Sequence, residues 1–345
     1  MKKIIIFLIL GILILSGYYF IIEEDILGLK VEKVEIENLQ DQNIEFLREK
    51  IYTNHGIISY NDKSIKMSLY NGENSWSKEL EDFINEIYFK DNIFIVTENK
   101  KKIIELDLSG KIINEYVFED EIIDFSKNSD IFVTLKDLDD NNKIVKIING
   151  RHEEINIDGN IVCILPKDEI DSYTLGYFYF ESGKINSVVE QRIINEDIKR
   201  WETKLDGELI ADIKQTPSRN FVLTQKNFYT FNTDGIILWK YNNFDSIKEF
   251  HVDEVNKKIL ILENRKLHIL NFDSSVEKII ELDAEYDNIK LYKEYIFLSN
   301  TRTISVVEEE IYSIWSLEEK IINFHFVQDN IYIETDFNFY KGIIR

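Results

Sequence analysis

Phe231-Asn232-Thr233-Asp234-Gly235-Ile236-Ile237-Leu238-Trp239 reads as a β-type run, a polar turn and a second run that ends in tryptophan. A second copy, without the tryptophan, is Leu106-Asp107-Leu108-Ser109-Gly110-Lys111-Ile112-Ile113, and looser copies end at Trp76, Trp201 and Trp315. The four tryptophans stand 125, 38 and 76 residues apart, close to three, one and two units of one period. A period of roughly 40 residues announces a repeat architecture.

Working outward, each unit resolves into four short runs of β-favouring residues separated by polar turns. The second unit places them at 86–89, 92–97, 102–107 and 111–118, and a later unit repeats the order at 249–252, 258–263, 266–271 and 276–282. Four strands per unit is the content of one propeller blade. Amphipathic helices are scarce, which argues against a helical solenoid of similar period; a short helix over 41–50 through Ile44 and Leu47 stays open.

A polar residue followed by Ile or Phe opens the units: Glu86-Ile87, Asp124-Phe125, Asn160-Ile161, Asp212-Ile213, Glu249-Phe250, Asn288-Ile289 and Asn323-Phe324, with Asn43-Ile44 as a weaker eighth. The fourth unit is the longest, through extra residues at 167–172 and 181–186, and insertions in repeats go to loops on one face. The expectation is an all-β, eight-bladed β-propeller over 31–345, with seven blades as the alternative if 41–60 packs differently. The last unit, 321–344, has only three runs. The alternating segment 31–36 is expected to supply its outer strand and close the ring, leaving no long exposed edge.

Asn232-Thr233-Asp234-Gly235 followed by Trp239, with weaker echoes at 107–114 and 195–201, resembles the tryptophan-docking repeat of the pyrroloquinoline-quinone-type eight-bladed propellers. The resemblance implies that the tryptophans dock between blades. Quinone-dependent dehydrogenases of that superfamily typically carry an adjacent cysteine pair, which this chain lacks, so it looks more like the non-enzymatic members, among them surface-anchored binding proteins.

Residues 4–22 are nineteen consecutive uncharged residues, fourteen of them Ile, Leu or Phe. As a helix at ~1.5 Å per residue they reach ~28 Å, about the thickness of a bilayer's hydrocarbon core. A cleaved signal peptide would have a shorter apolar region and small residues at its cleavage site; here Leu15 and Tyr18 flank Ser16-Gly17. The expected layout is a cytoplasmic N-terminus over 1–3 with Lys2 and Lys3, a transmembrane anchor over 4–22, a linker over 23–30 opening with Glu23-Glu24-Asp25, and an extracytoplasmic propeller. The location expected is the cell membrane, spanned once.

The chain has 63 acidic against 41 basic residues, a formal charge of −22, which repels phosphate backbones and excludes nucleic acid as an expected partner. Cys163 is the only cysteine, so no disulfide or CxxC knuckle forms within one chain, and its apolar run reads as buried. The five histidines show no close metal spacing, and no GxSxG, Walker, GxGxxG or SxxK pattern occurs.

Glu86, Asp124, Asp212 and Glu249, completed by Asn160, Asn288 and Asn323, are the most site-like set. Pointing at the axis, their oxygens would suit Ca²⁺ as the one cofactor to consider; each would otherwise accept a backbone N–H and fasten its strand. His251 and His325 fall at equivalent positions of units six and eight. Tyr173, Tyr177 and Tyr179 lie in one aromatic strand that would either pack the core or stack on sugars or peptides. The function expected is binding or scaffolding at the cell surface with a protein or polymer partner, and the alternative is an enzyme acting on a surface polymer at the axial face.

Overall fold

Continuous apolar runs and runs interrupted by polar residues have different fates in this chain. The computed structural model describes residues 30–33, 49–70, 74–127, 131–139, 141–148, 151–167, 172–193, 198–293, 295–307 and 311–343. Within them Ile93–Thr97 and Asn220–Thr224, apolar except at Thr97, Asn220 and Thr224, are buried at every position, whereas Ile112–Val117, with Asn114 and Glu115 at its centre, is largely exposed. A strand covered on both faces needs a continuous run, and a rim strand does not.

These strands build eight four-stranded antiparallel sheets, an eight-bladed propeller. Blades one to seven, at 49–79, 84–117, 121–157, 160–206, 210–241, 247–281 and 288–316, each use four consecutive strands in chain order. Blade eight takes three strands from 321–343, and Lys30–Lys33 joins outside Phe339–Ile343 with Val31 opposite Gly342. Closure, expected of 31–36, is observed through Lys30–Lys33, with 34–36 outside the described residues, and the seven-blade alternative is overturned because Glu49–Tyr52, Ile57–Tyr60, Ser64–Ser68 and Asn74–Glu79 form a complete blade of their own. Residues 49 and 50 lie in a strand and not in the helix left open over 41–50. The expected anchor over 4–22 and the Asn43-Ile44 start lie outside the described residues, among which no helix is long and apolar enough to cross a membrane.

The first strands of successive blades are the ones that meet, as Ile247–Asp253 meets Asn288–Tyr292 and Asn160–Lys167 meets Ile210–Gln215. They therefore line the axis. The core is divided into eight apolar clusters, one in each wedge between neighbouring blades. The residue after each unit-opening polar position fills these wedges: Phe125, Ile213, Phe250 and Phe324 are buried, each stabilising by roughly 2–3 kcal/mol.

Among the described residues the wedge between blades eight and one has the fewest buried apolar side chains, Ile57, Val327 and Tyr332, with Tyr52 and Tyr70 packed against them. Polar and aromatic contacts reinforce it. Lys50 pairs with Glu334, the Tyr52 hydroxyl donates to the same carboxylate, and Tyr70 stacks on Tyr332 at 4.3 Å.

The tryptophans sit between blades, as the resemblance implied. Trp76 Nε1 donates to Leu108 O at 2.8 Å, Trp201 Nε1 to Thr233 O at 2.9 Å and Trp239 Nε1 to Phe272 O at 2.8 Å, in each case in the turn before the next blade's rim strand. Gly235 has φ +78, and a Cβ there would lie 2.4 Å from the Trp201 ring. The Asp-Gly of the repeat thus serves two needs, a left-handed turn and room for the preceding blade's indole. Replacing Gly235 with Ala should cost on the order of 2–5 kcal/mol in urea unfolding, backbone strain plus overlap. Gly207→Ala, at φ +69 with nothing within 4 Å, should cost only about 1 kcal/mol.

Candidate functional site

Among the described residues the axial strand of six blades carries a β-bulge at one place: between Ile84 and Glu86, Ile122 and Asp124, Ile161 and Cys163, Ile210 and Asp212, Ile247 and Glu249, and Ile321 and Asn323. A bulge leaves one residue unpaired and re-aims the next. Six of the seven expected openers stand at this position or its counterpart. Blade four is the exception, since Cys163 takes the bulge and Asn160 lies three residues earlier, exposed and paired with Phe178. Asn160-Ile161 and Cys163-Ile164 both fit the pattern, and only the register with the second strand separates them.

The bulged residues fasten the axial strands. Asp124 Oδ1 accepts the Phe125 N–H at 2.7 Å, Asn323 Oδ1 accepts the Phe324 N–H at 2.8 Å, and Glu249 Oε2 reaches the next blade to accept the Ile289 N–H at 2.8 Å. Burial raises the carboxyls of Asp124 and Asp212; Glu86 adds to the first, while Lys214 opposes the second. The Tyr88 hydroxyl is raised too, by burial and by its hydrogen bond to Glu86. Among the described residues no three His, Cys, Asp or Glu side chains gather in a way that could hold a metal ion. Glu86, Asp124, Asp212 and Glu249 are thus equivalent in register, yet they form no cage of converging oxygens.

Two residues further along each axial strand, roughly 7 Å deeper, the composition changes. Blades five to eight present Lys214, His251, Lys290 and His325 in turn. Lys214 donates to Phe250 O and lies 4.5 Å from the centre of that ring; Lys290 does the same to Phe324 O, also at 4.5 Å, and donates to Asn323 Oδ1 at 3.0 Å. Burial lowers Lys290, with Glu249 opposing. His251, Lys290, Leu291, Tyr292, His325 and Phe326 line a cleft of about 330 Å³.

The sequence pointed to the two histidines but missed the lysines. A signal was present: a basic residue stands two places after the polar opener in four consecutive units, Asp212-Ile213-Lys214, Glu249-Phe250-His251, Asn288-Ile289-Lys290 and Asn323-Phe324-His325.

The aromatic strand Ser172–Glu181 divides. Tyr173 is fully buried, 5.0 Å from Phe132 across the wedge between blades three and four, so it belongs to the core and not to a binding surface. Tyr177 packs on the same wedge and Tyr179 is half-buried. Beyond Phe178 the first strand of the blade has ended and the rim strand begins to pair only at Asn186, so 179–185 project as a two-stranded ribbon. Phe180 on it is 65% exposed. This ribbon is the outcome of the extra residues expected at 181–186.

No family model and no curated protein matches the sequence. Solved structures do. BamB from Moraxella catarrhalis superposes with a TM-score of 0.61 at 11% identity over 92% of this chain and 98% of its own. The computationally designed Ika8 protein gives 0.64 at 9% identity over 86% and 95%, and a eukaryotic initiation factor gives 0.62 at 13% over 84% and 82%. At such identities the likeness is one of fold.

Two expectations follow for the axis. Burial, with the charges of Asp212 and Asp124, pushes the Cys163 thiol up to about 12. The native protein should therefore react with a thiol reagent near pH 8 far more slowly than the urea-unfolded chain; equal rates would contradict this setting. Burial also holds His251 and His325 below their ordinary 6.5, with Lys214 adding on the first against Asp253, and Lys290 adding on the second. Below pH 6.5 the unfolded chain binds protons there that the folded state refuses, so stability falls as the pH drops through that window. Urea midpoints at about pH 7.5 and about pH 5.5 should show this fall, reduced in a His251→Asn/His325→Asn double variant.

Proposed function

We propose that this protein is a binding or scaffolding module on the outer side of a cell membrane, held there by the apolar segment 4–22. The observation that carries the reading is the aromatic ribbon of blade four. In the other blades few residues separate the second and third strands, but in blade four residues 179–185 extend past their neighbours with Tyr179 and Phe180 on them. Aromatic rings on a short ribbon offer a partner large contact area at little entropic cost. The closed disc behind the ribbon holds its root in place, because Phe178 and Tyr177 are paired into the blade on both sides.

Several features support the address: the length of the apolar run, Lys2 and Lys3 before it and the acidic residues after it. A net charge of −22 suits a surface that stays soluble and turns away polyanions. Likeness to BamB and to a designed propeller supports a rigid scaffold as the working part and adds no partner.

The test is site-specific photocrosslinking of the full chain in intact cells. A photoreactive residue at Phe180 is expected to give a discrete crosslinked product. The same residue at Val255, exposed on the opposite face in the turn after Ile247–Asp253, is expected to give none. Resistance of the propeller to protease added outside intact cells would remove the proposed address, and turnover of a surface polymer by the purified protein would replace binding with catalysis.

A further inference from the structure

We infer that the cleft between blades six, seven and eight is a binding site for a small organic oxyanion, its charged group held by His251, Lys290 and His325 and its body laid on the Tyr292–Phe326 pair. This site is independent of the aromatic ribbon and of the membrane address.

Three observations carry it. The first is topological: one basic residue comes from each of three successive axial strands, at the same register, into a single cleft of about 330 Å³. That is enough room for a ligand larger than an inorganic ion.

The second is the state of Lys290 and His325. Lys290 is tied to two neutral oxygens and to the Phe324 ring, and no carboxylate lies within ion-pair distance of it among the described residues. His325 Nε2 is buried with no hydrogen-bond partner. The carboxylates on this side are engaged elsewhere: Glu249 accepts the Ile289 N–H, Asp253 accepts from Asn256, and Asp329, beside Tyr292 on the apolar wall, pairs with Lys293 at 2.8 Å. In a chain of net charge −22, a basic trio that makes no ion pair among the described residues, with Glu249 and Asp253 acting on it only at longer range, is a local inversion of sign. Buried polar groups are ordinarily hydrogen-bonded, and an oxyanion would satisfy the imidazole and the ammonium together, through charge-assisted bonds.

The third is the remaining wall. Tyr292 and Phe326 stack with centroids 4.6 Å apart and planes 18° apart, and Leu291 lies beside them. An apolar or planar body fits against this wall while its charged end faces the basic side. Carboxylate and phosphate share the required chemistry, so the probes separate them.

Calorimetric titration of the full-length protein with benzoate, phenyl phosphate and neutral benzamide tests the site. Saturable binding of benzoate or phenyl phosphate, at least about tenfold tighter than benzamide, is expected; the tighter of the two identifies the headgroup. His251→Asn and His325→Asn should each weaken that binding about tenfold. His152→Asn, an exposed histidine on the rim strand of blade three, should leave it unchanged. Lys290→Met also removes the tether to Phe324 O, so the two histidine variants decide. Equal affinity for benzamide, no binding of either anion, or wild-type affinity in both histidine variants would overturn the site.

Discussion

Each blade of this protein is a sheet apolar on both faces, so none is stable without a neighbour on either side. That requirement for two-sided cover organises the rest of the molecule. It divides the core into eight wedges instead of one centre, and it demands that the last blade find the first. The meeting is covalently unassisted. It rests on the pairing of Lys30–Lys33 with Phe339–Ile343 and on a small wedge reinforced by Lys50, Glu334, Tyr52 and the Tyr70–Tyr332 stack. Ion pairs taken from water contribute specificity more readily than stability, and here they join the partners that chain order keeps furthest apart.

Two-sided packing also explains why the axis is polar. A wedge tapers inward, and side chains of Phe125, Phe250 and Phe324 already fill its narrow end. The bulge turns the preceding residue out of the wedge, where a side chain that accepts a backbone N–H suits the crowded strands. Glu86, Asp124 and Asp212 form an acidic arc on one side of the axis, interrupted by the neutral Cys163 thiol. Lys214, His251, Lys290 and His325 form a basic arc at greater depth on the other. Lys214 and Lys290 show that one side chain can do structural and electrostatic work together, each capping the next blade's carbonyl while placing charge beside a cleft.

The two ends of the disc are consequently different. One end carries the aromatic ribbon of blade four, built from the longest strand pair of the chain. The basic cleft lies toward the other. An extended hairpin suits a large partner and a cleft of about 330 Å³ suits a small ligand, so a single rigid ring can offer both without any contact between the sites.

Blade number, strand order and the closing strand were legible in the sequence because alternation, turn chemistry and period are local properties of a chain. The tryptophan and Asp-Gly positions were legible for the same reason, since each repeats one contact. Tertiary structure decided what depends on register and depth. Asn160 and Cys163 present the same local pattern, and only pairing with Ser172–Glu181 selects the cysteine for the axis. Tyr173 and Phe180 belong to one strand, and the former is sealed in a wedge while the latter stands free because neighbouring strands end between them. His251, Lys290 and His325 are separated by whole blades in the chain, and they share a cleft because eight strands running in one direction around an axis bring equal register positions to equal depth.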